Sequence, residues 1–581
     1  MNARTKTPYI ACLGMALSLV LALVTGCAKS AEPNQVSEQQ VGNVTLTLTD
    51  DTAEELLEEM SAFELTALQR EEAKENTAGY EPLDAGRGNP NWINAKARYA
   101  YTRLMDFATA ESELDMSEGD MAGHAQLEGI GARFDATMDP TNEADAFLID
   151  AVNYCVSELG MNKDDLIYEL VNGIVGDYYP SPSRCLTHTE AILNDYLQST
   201  LYDGADLKDH TQVFPTEGGS AAMCYVFESL SHNKVLNPGD KIAIATPIFT
   251  PYLEIPSVND YGLVSVDVSS TEENGWDIAE EELVKLEDPS IKAFFLVNPS
   301  NPASHALSDA TIDRLAQVVE KNPDLIILTD DVYGTFVDGF RSVYSRIPHN
   351  TILVYSFSKL YGVTGWRVGL IAMHEDNVVD RLIAGLPDAD KAALAQEYAS
   401  VMPDITDFKF IDRMCADSRS IGLYHTSGLS TPSQVFMDVL ALTHLVDAEH
   451  DAYIELSNKI VNERYEAFMG ALGLPADESA ENARYYTLVD INELAEARYG
   501  KDFAAWRSEE VSDIDFLSEL ARKKGVVLMH GPGFEAPEGC VRVSLANLDT
   551  EDYVEIARRV NELLDECYAE YEAATQLAAA A

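Results

Sequence analysis

Four short apolar runs, each ending on a polar residue, constrain this chain more than any other feature. Lys241-Ile242-Ala243-Ile244-Ala245 meets Thr246, Ala293–Val297 meets Asn298-Pro299, Leu325–Leu328 leads to Asp330, and Ile352–Tyr355 leads to Ser356. Near-continuous apolar runs of this length read as strands covered on both faces. Alternating with longer helix-compatible stretches, they predict a largely parallel sheet between helices. Gln212-Val213-Phe214, running into Gly218-Gly219-Ser220 and a helix-compatible stretch from Ala221, has the same form. Open sheets of this kind bind ligands at the carboxyl ends of their strands, so the polar residues at those ends are the first candidates for a site. Tyr485–Ile491, Gly525–Met529 and Cys540–Leu545 read as strands of a smaller C-terminal unit.

The ends of the 581-residue chain read differently. Arg4 and Lys6 precede an apolar run from Tyr9 to Val24, which closes on Leu23-Val24-Thr25-Gly26-Cys27. That is the form of an export signal, and its end resembles a bacterial lipoprotein cleavage box in which Cys27 takes the lipid. The expected location is therefore membrane-anchored and facing the periplasm, or cytoplasmic if the start is not a signal. The expected units are a signal over 1–26, a polar tether over 27–47, and an N-terminal arm with part of a small domain over 48–115. A large domain over 116–450, a small C-terminal domain over 451–570 and a low-complexity tail over 571–581 follow.

Forty Lys plus Arg against 97 Asp plus Glu leave a formal net charge of −57. Phosphate backbones require cationic surface, so nucleic acid is not an expected partner. An anionic small molecule would need a locally positive pocket, which gives the few arginines near the strand ends added weight. None of the eight cysteines forms a Cys-x-x-Cys pair, so no thiolate metal site is expected.

The densest motif is Ser356-Phe357-Ser358-Lys359-Leu360-Tyr361-Gly362-Val363-Thr364-Gly365-Trp366-Arg367. A strand end delivers a lysine into a tight turn, where its amine can form an imine with an aldehyde cofactor. Ser356 and Arg367 flank it with a hydroxyl and a guanidinium suited to a phosphate. Asn298-Pro299-Ser300-Asn301-Pro302, Asp330-Asp331-Val332-Tyr333 and Cys540-Val541-Arg542-Val543-Ser544 follow the same logic of polar groups at strand ends or on a strand of the smaller unit.

Taken together and in this order, the four segments resemble the fold-type I aminotransferases of class I/II. The resemblance implies an α/β fold: a large domain with a mostly parallel seven-stranded sheet between helices, and a smaller α/β domain built from both chain ends. It implies pyridoxal 5'-phosphate as cofactor, held by Lys359 and bonded through Asn301, Asp330 and Tyr333. Asp330 would pair with the ring nitrogen, Tyr333 would bond the phenolic oxygen, and Arg542 would grip the substrate α-carboxylate. By position, Gly219 and Ser220 would take the phosphate at a helix N-terminus, with Ser356 and Arg367, and Phe249 would stack on the ring. Lys359, Tyr333 and Asp330 are then the catalytic set.

Gly86-Arg87-Gly88-Asn89-Pro90-Asn91-Trp92, with Thr216-Glu217-Gly218-Gly219 and Thr246-Pro247-Ile248-Phe249-Thr250-Pro251-Tyr252, resembles more narrowly the aspartate 4-decarboxylases. That likeness implies conversion of L-aspartate to L-alanine and carbon dioxide, with amino transfer to small keto acids as a side reaction. It places Arg87 on the dicarboxylic substrate and implies a homo-oligomer, at least a dimer. Two other readings stay open: a plain aminotransferase, and a lipid-tethered binding protein without catalysis.

Overall fold

The computed structural model describes residues 60–256, 261–402 and 404–580, together with the backbone of 37–41 and 44–48. Cys27 and the signal-like start lie outside the described residues.

A seven-stranded sheet forms the centre. Its strands are β1 (Thr211–Thr216), β2 (Lys241–Thr246), β3 (Val264–Ser269), β4 (Ile291–Val297), β5 (Ile326–Asp330), β6 (Thr351–Ser356) and β7 (Gly369–His374). Their spatial order is β1-β7-β6-β5-β4-β2-β3. β7 runs antiparallel to both its neighbours, and the other pairings are parallel. Every residue of β5, β6 and β7 is buried. Along β5 the period-2 alternation divides the side chains between two cores: Ile326 and Leu328 pack into the larger, while Ile327 joins Phe294 of β4 in the core on the opposite face. This is why the sequence of these strands reads as unbroken apolar runs.

The smaller domain carries β8 (Tyr486–Asp490), β9 (Met529–His530) and β10 (Cys540–Ser544), ordered β8-β10-β9 and antiparallel. A short strand, Leu83–Asp84, joins it by pairing in parallel with Val526–Val527. The expected Gly525–Met529 strand is thus split between two sheets. The helix Ala62–Lys74 packs against Asp513–Lys524 of this domain. A capping box fixes its start, with Ser61 N donating to Glu64 Oε2 at 2.9 Å and Glu64 N to Ser61 Oγ at 3.4 Å.

Three expected boundaries move. The helix Ala95–Glu113, placed by sequence in the N-terminal arm, buries Ala97, Leu104 and Phe107 in the large-domain core, so the chain crosses between domains near Trp92 rather than at 115. The tail expected from 571 continues the helix Thr550–Ala580, and Tyr571 packs on Phe503 and Trp506. Residues 37–41 and 44–48, inside and just past the expected tether, pair as an antiparallel hairpin, in keeping with the β-favouring Val-Thr-Leu-Thr-Leu run.

Candidate active site

The carboxyl ends of β1, β4, β5 and β6 open on one cavity of about 370 Å³, closed from the other side by the small domain. Arg87, Gly219, Ser220, Phe249, Asn301, Asp330, Tyr333, Ser356, Lys359, Arg367 and Arg542, the expected site residues of the described chain, all line it.

Lys359 leaves the turn after β6 and donates from Nζ to the carbonyl of Gly88 at 2.9 Å. Gly88 belongs to the segment that crosses between the domains. A methyl group on it would lie 2.5 Å from Tyr486 Oη and 3.2 Å from Lys359 Nζ, so glycine is required for this close approach.

Asp330 ends β5 and is 5% exposed. Tyr252 donates its hydroxyl to Oδ2 at 2.9 Å, and Val332 N donates to Oδ1 at 3.2 Å. Burial pushes this carboxyl up to about 6, against the two hydrogen bonds and the charge of Lys359, which pull it down. A carboxylate in this position gains most from a buried cationic N–H partner. Beside it, burial pushes Asp331 up to about 7.

One end of the cavity, where the sequence reading expects a phosphate, is built on β1 and the turn before β7. Gly218 has φ 89°, open to glycine, and a methyl group there would lie 2.5 Å from Arg367 Nη2. Gly219 and Ser220 open the 14-residue helix Gly219–His232, whose first amides point to the cavity end of the helix. Arg367 is exposed and held in the left-handed region at φ 57°, a conformation costly for an arginine and found where a site demands it. Ser356 Oγ donates to Ser358 Oγ at 2.9 Å beside it.

At the opposite end Arg542 is 2% exposed. Its partners are neutral: Asn301 Oδ1 at 3.2 Å, the Gly86 carbonyl at 2.9 Å, Met529 Sδ at 2.6 Å, and the faces of Tyr486 and Phe534. Its Nε is buried without a partner. Burial lowers its pKa, and the nearby carboxylate of Asp84 is already held by Arg70 and Arg87. An arginine so buried, lining the cavity with neutral partners alone, is suited to an incoming carboxylate.

Arg87 is exposed at the cavity wall, with Nε 2.9 Å from Asp84 Oδ2; Arg70 Nε shares that oxygen at 2.7 Å. Phe249 packs edge-on against Phe63 and Tyr252, with centroids at 5.8 and 5.2 Å. Three participants escaped the sequence reading: Tyr252, Arg70 and Tyr486, whose hydroxyl lies 3.0 Å from that of Tyr333. Tyr252 stood within a segment already singled out, three residues after Phe249; Arg70 and Tyr486 carried no local motif.

The donor set fits pyridoxal phosphate. Gly219, Ser220, Ser356 and Arg367 would hold its phosphate, Asp330 its ring N–H, Asn301 and Tyr333 its phenolic oxygen, and Lys359 its aldehyde carbon. Bound there, the cofactor supplies a cationic ring, conjugated to the substrate nitrogen, that accepts the electron pair of a bond broken nearby.

The family described as aminotransferase class I and II matches residues 190–560. A bifunctional aspartate aminotransferase and L-aspartate beta-decarboxylase of Pseudomonas sp. is 44% identical over 497 residues, 84% of this chain and 93% of that protein. An aspartate aminotransferase of Streptomyces avermitilis is 26% identical over 375 residues, 63% of this chain and 78% of that protein. Among solved structures, a double mutant of Thermus thermophilus aspartate aminotransferase superposes with a TM-score of 0.55 at 17% identity, covering 87% of this chain and 96% of its own. The same organism's aspartate aminotransferase with maleate gives 0.53 at 18% identity, covering 87% and 96%.

Proposed function

This chain belongs to the class I and II aminotransferases, and on that premise we propose that it removes the β-carboxylate of L-aspartate, releasing L-alanine and carbon dioxide, with amino transfer to small keto acids as its side reaction. The supporting observation is Arg542: a buried guanidinium that lines the cavity and whose partners are all neutral. In this reading Arg542 takes the α-carboxylate. Arg87, across the cavity wall, takes the second carboxylate and gives up Asp84 to do so. The two cations orient Cα over Lys359, which moves the Cα proton. Asp330 keeps a proton on the ring nitrogen of the bound pyridoxal phosphate.

The deciding experiment incubates the purified chain with pyridoxal phosphate and L-aspartate, and follows alanine, carbon dioxide and keto-acid amination together. Equal release of alanine and carbon dioxide is expected. Amino transfer without carbon dioxide would reduce the chain to a plain aminotransferase, and neither product would favour the binding-protein alternative.

We further propose that the chain is exported and anchored by lipid at Cys27, facing the periplasm, and that it works as a homo-oligomer. The anchor rests on the basic start, the apolar run and the Thr25-Gly26-Cys27 ending alone; no helix among the described residues is long and apolar enough to cross a membrane. Labelled fatty acid should enter the wild type and not Cys27→Ser, and equal labelling would sink the anchor.

A further inference from the structure

Tyr486 opens β8 and is 2% exposed. One hydroxyl of the Tyr333–Tyr486 pair donates to the other at 3.0 Å, and the Arg542 guanidinium lies over the Tyr486 ring, 4.4 Å from its centroid. The Gly88 Cα hydrogen points at a spot flanked by both Tyr486 Oη and Lys359 Nζ. One phenol thus touches the residue expected to bond the cofactor oxygen, stands beside the cofactor lysine, and stacks under the arginine expected to hold the substrate.

Loss of the β-carboxylate leaves Cβ in need of a proton. Lys359 is committed to the Cα proton, Tyr333 to the cofactor oxygen, and guanidinium groups do not give up protons near neutrality. We infer that Tyr486 is the acid that protonates Cβ. This rests on the decarboxylase reading. The Cβ–carboxylate bond breaks, carbon dioxide leaves, and the electron pair remains with the substrate carbon skeleton. The Tyr486 O–H bond then breaks and its proton forms the new C–H bond at Cβ. The phenolate regains a proton from solvent through the open cavity. The net change is carboxylate for hydrogen, with no oxidant or reductant.

The surroundings suit that role. Burial alone raises a phenol, but the charges of Lys359 and Arg542, with the bond from Tyr333, outweigh it and hold Tyr486 below the ordinary tyrosine range. The groups facing it are Lys359 from the turn after β6, Arg542 from β10, Tyr333 from the turn after β5 and Tyr485, the residue just before it. A lowered phenol is a stronger acid at working pH. It carries its proton below its pKa, so decarboxylation should fall on the alkaline side earlier than a free tyrosine would dictate.

The test compares wild type with Tyr486→Phe in two ways. With aspartate and cofactor, the variant should lose about 100-fold or more of alanine and carbon dioxide formation, while amino transfer, which needs no proton at Cβ, falls less than about tenfold. In the cofactor-free proteins, phenolate absorbance followed against pH should show one tyrosine ionising early in the wild type and none in the variant. A wild type that releases no carbon dioxide removes the decarboxylase reading itself. A competent wild type whose variant loses both reactions in proportion, or neither, overturns Tyr486 alone, as does the absence of an early tyrosine from the wild-type titration, which stands even if the variant fails to fold.

Discussion

Replacing Asp330 with Asn should make the cofactor-free protein more stable while destroying its chemistry. Burial holds this carboxyl at about 6 in the folded chain, against an ordinary value of 3.8. Below pH 3.8 the group is protonated in both folded and unfolded chains and costs nothing. As pH rises, the unfolded chain ionises first, and the folded chain loses the stability that its bound proton had conferred. Above about pH 6 that loss is complete. A rise of about 2, at about 1.4 kcal/mol for each pH unit, puts it at roughly 3 kcal/mol at pH 7 and about half that at pH 5. Asn keeps the shape and can still meet Tyr252, so Asp330→Asn recovers up to this amount. Urea unfolding of cofactor-free wild type and variant at pH 7 and pH 5 measures it. A variant less stable at pH 7, or a gap that does not shrink on acidification, refutes the reasoning, because a change in hydrogen bonding alone has no such pH dependence. The penalty has a use: a carboxylate that is costly when alone binds a cationic ring N–H more tightly.

Lys359→Ala should lower turnover by about 100- to 10,000-fold or more, read by product formation and by the lost absorbance of the covalently held cofactor; normal rates would remove the central assignment. Arg542→Gln should raise the KM for aspartate by roughly 10- to 100-fold, since each charged hydrogen bond contributes about 1.5–3 kcal/mol, and an unchanged KM would move the α-carboxylate elsewhere. Gly218→Ala places a methyl group 2.5 Å from Arg367 Nη2 on a backbone at φ 89°; cofactor affinity, followed by equilibrium dialysis, should fall by at least about fivefold, given about 1–3 kcal/mol of strain.

What the sequence made legible was whatever a few consecutive residues carry. Ser356 ends β6 and Lys359 and Arg367 follow before β7, while Asp330 ends β5 and Tyr333 follows it, so their spacing survives in the chain as a motif. β3 and β7 were not singled out: β3 is an edge strand with exposed Val264 and Ser265, and β7 follows directly on the lysine motif. Tyr486 meets Tyr333 across 153 positions, and Gly88 meets Lys359 across 271. Such contacts exist only once the small domain folds back over the sheet, and no local pattern announces them. The crossing near Trp92 was hidden for the same reason, since Ala95–Glu113 is amphipathic enough for either domain until its partners are known.

Composition and motif also report on different distances. The net charge of −57 belongs mostly to exposed groups, whose fields fade within about 10 Å at 0.1 M salt. It governs how a dianion approaches. The cavity itself is lined by Arg70, Arg87, Lys359, Arg367 and Arg542 against Asp330, with Asp84 paired to Arg70 and Arg87. Arg542 acts where salt and water are largely excluded, so its attraction for a carboxylate is little screened. An acidic protein can therefore bind an acidic substrate without contradiction. The surface slows encounter at low salt, and a few cations at the strand ends and behind them decide what stays.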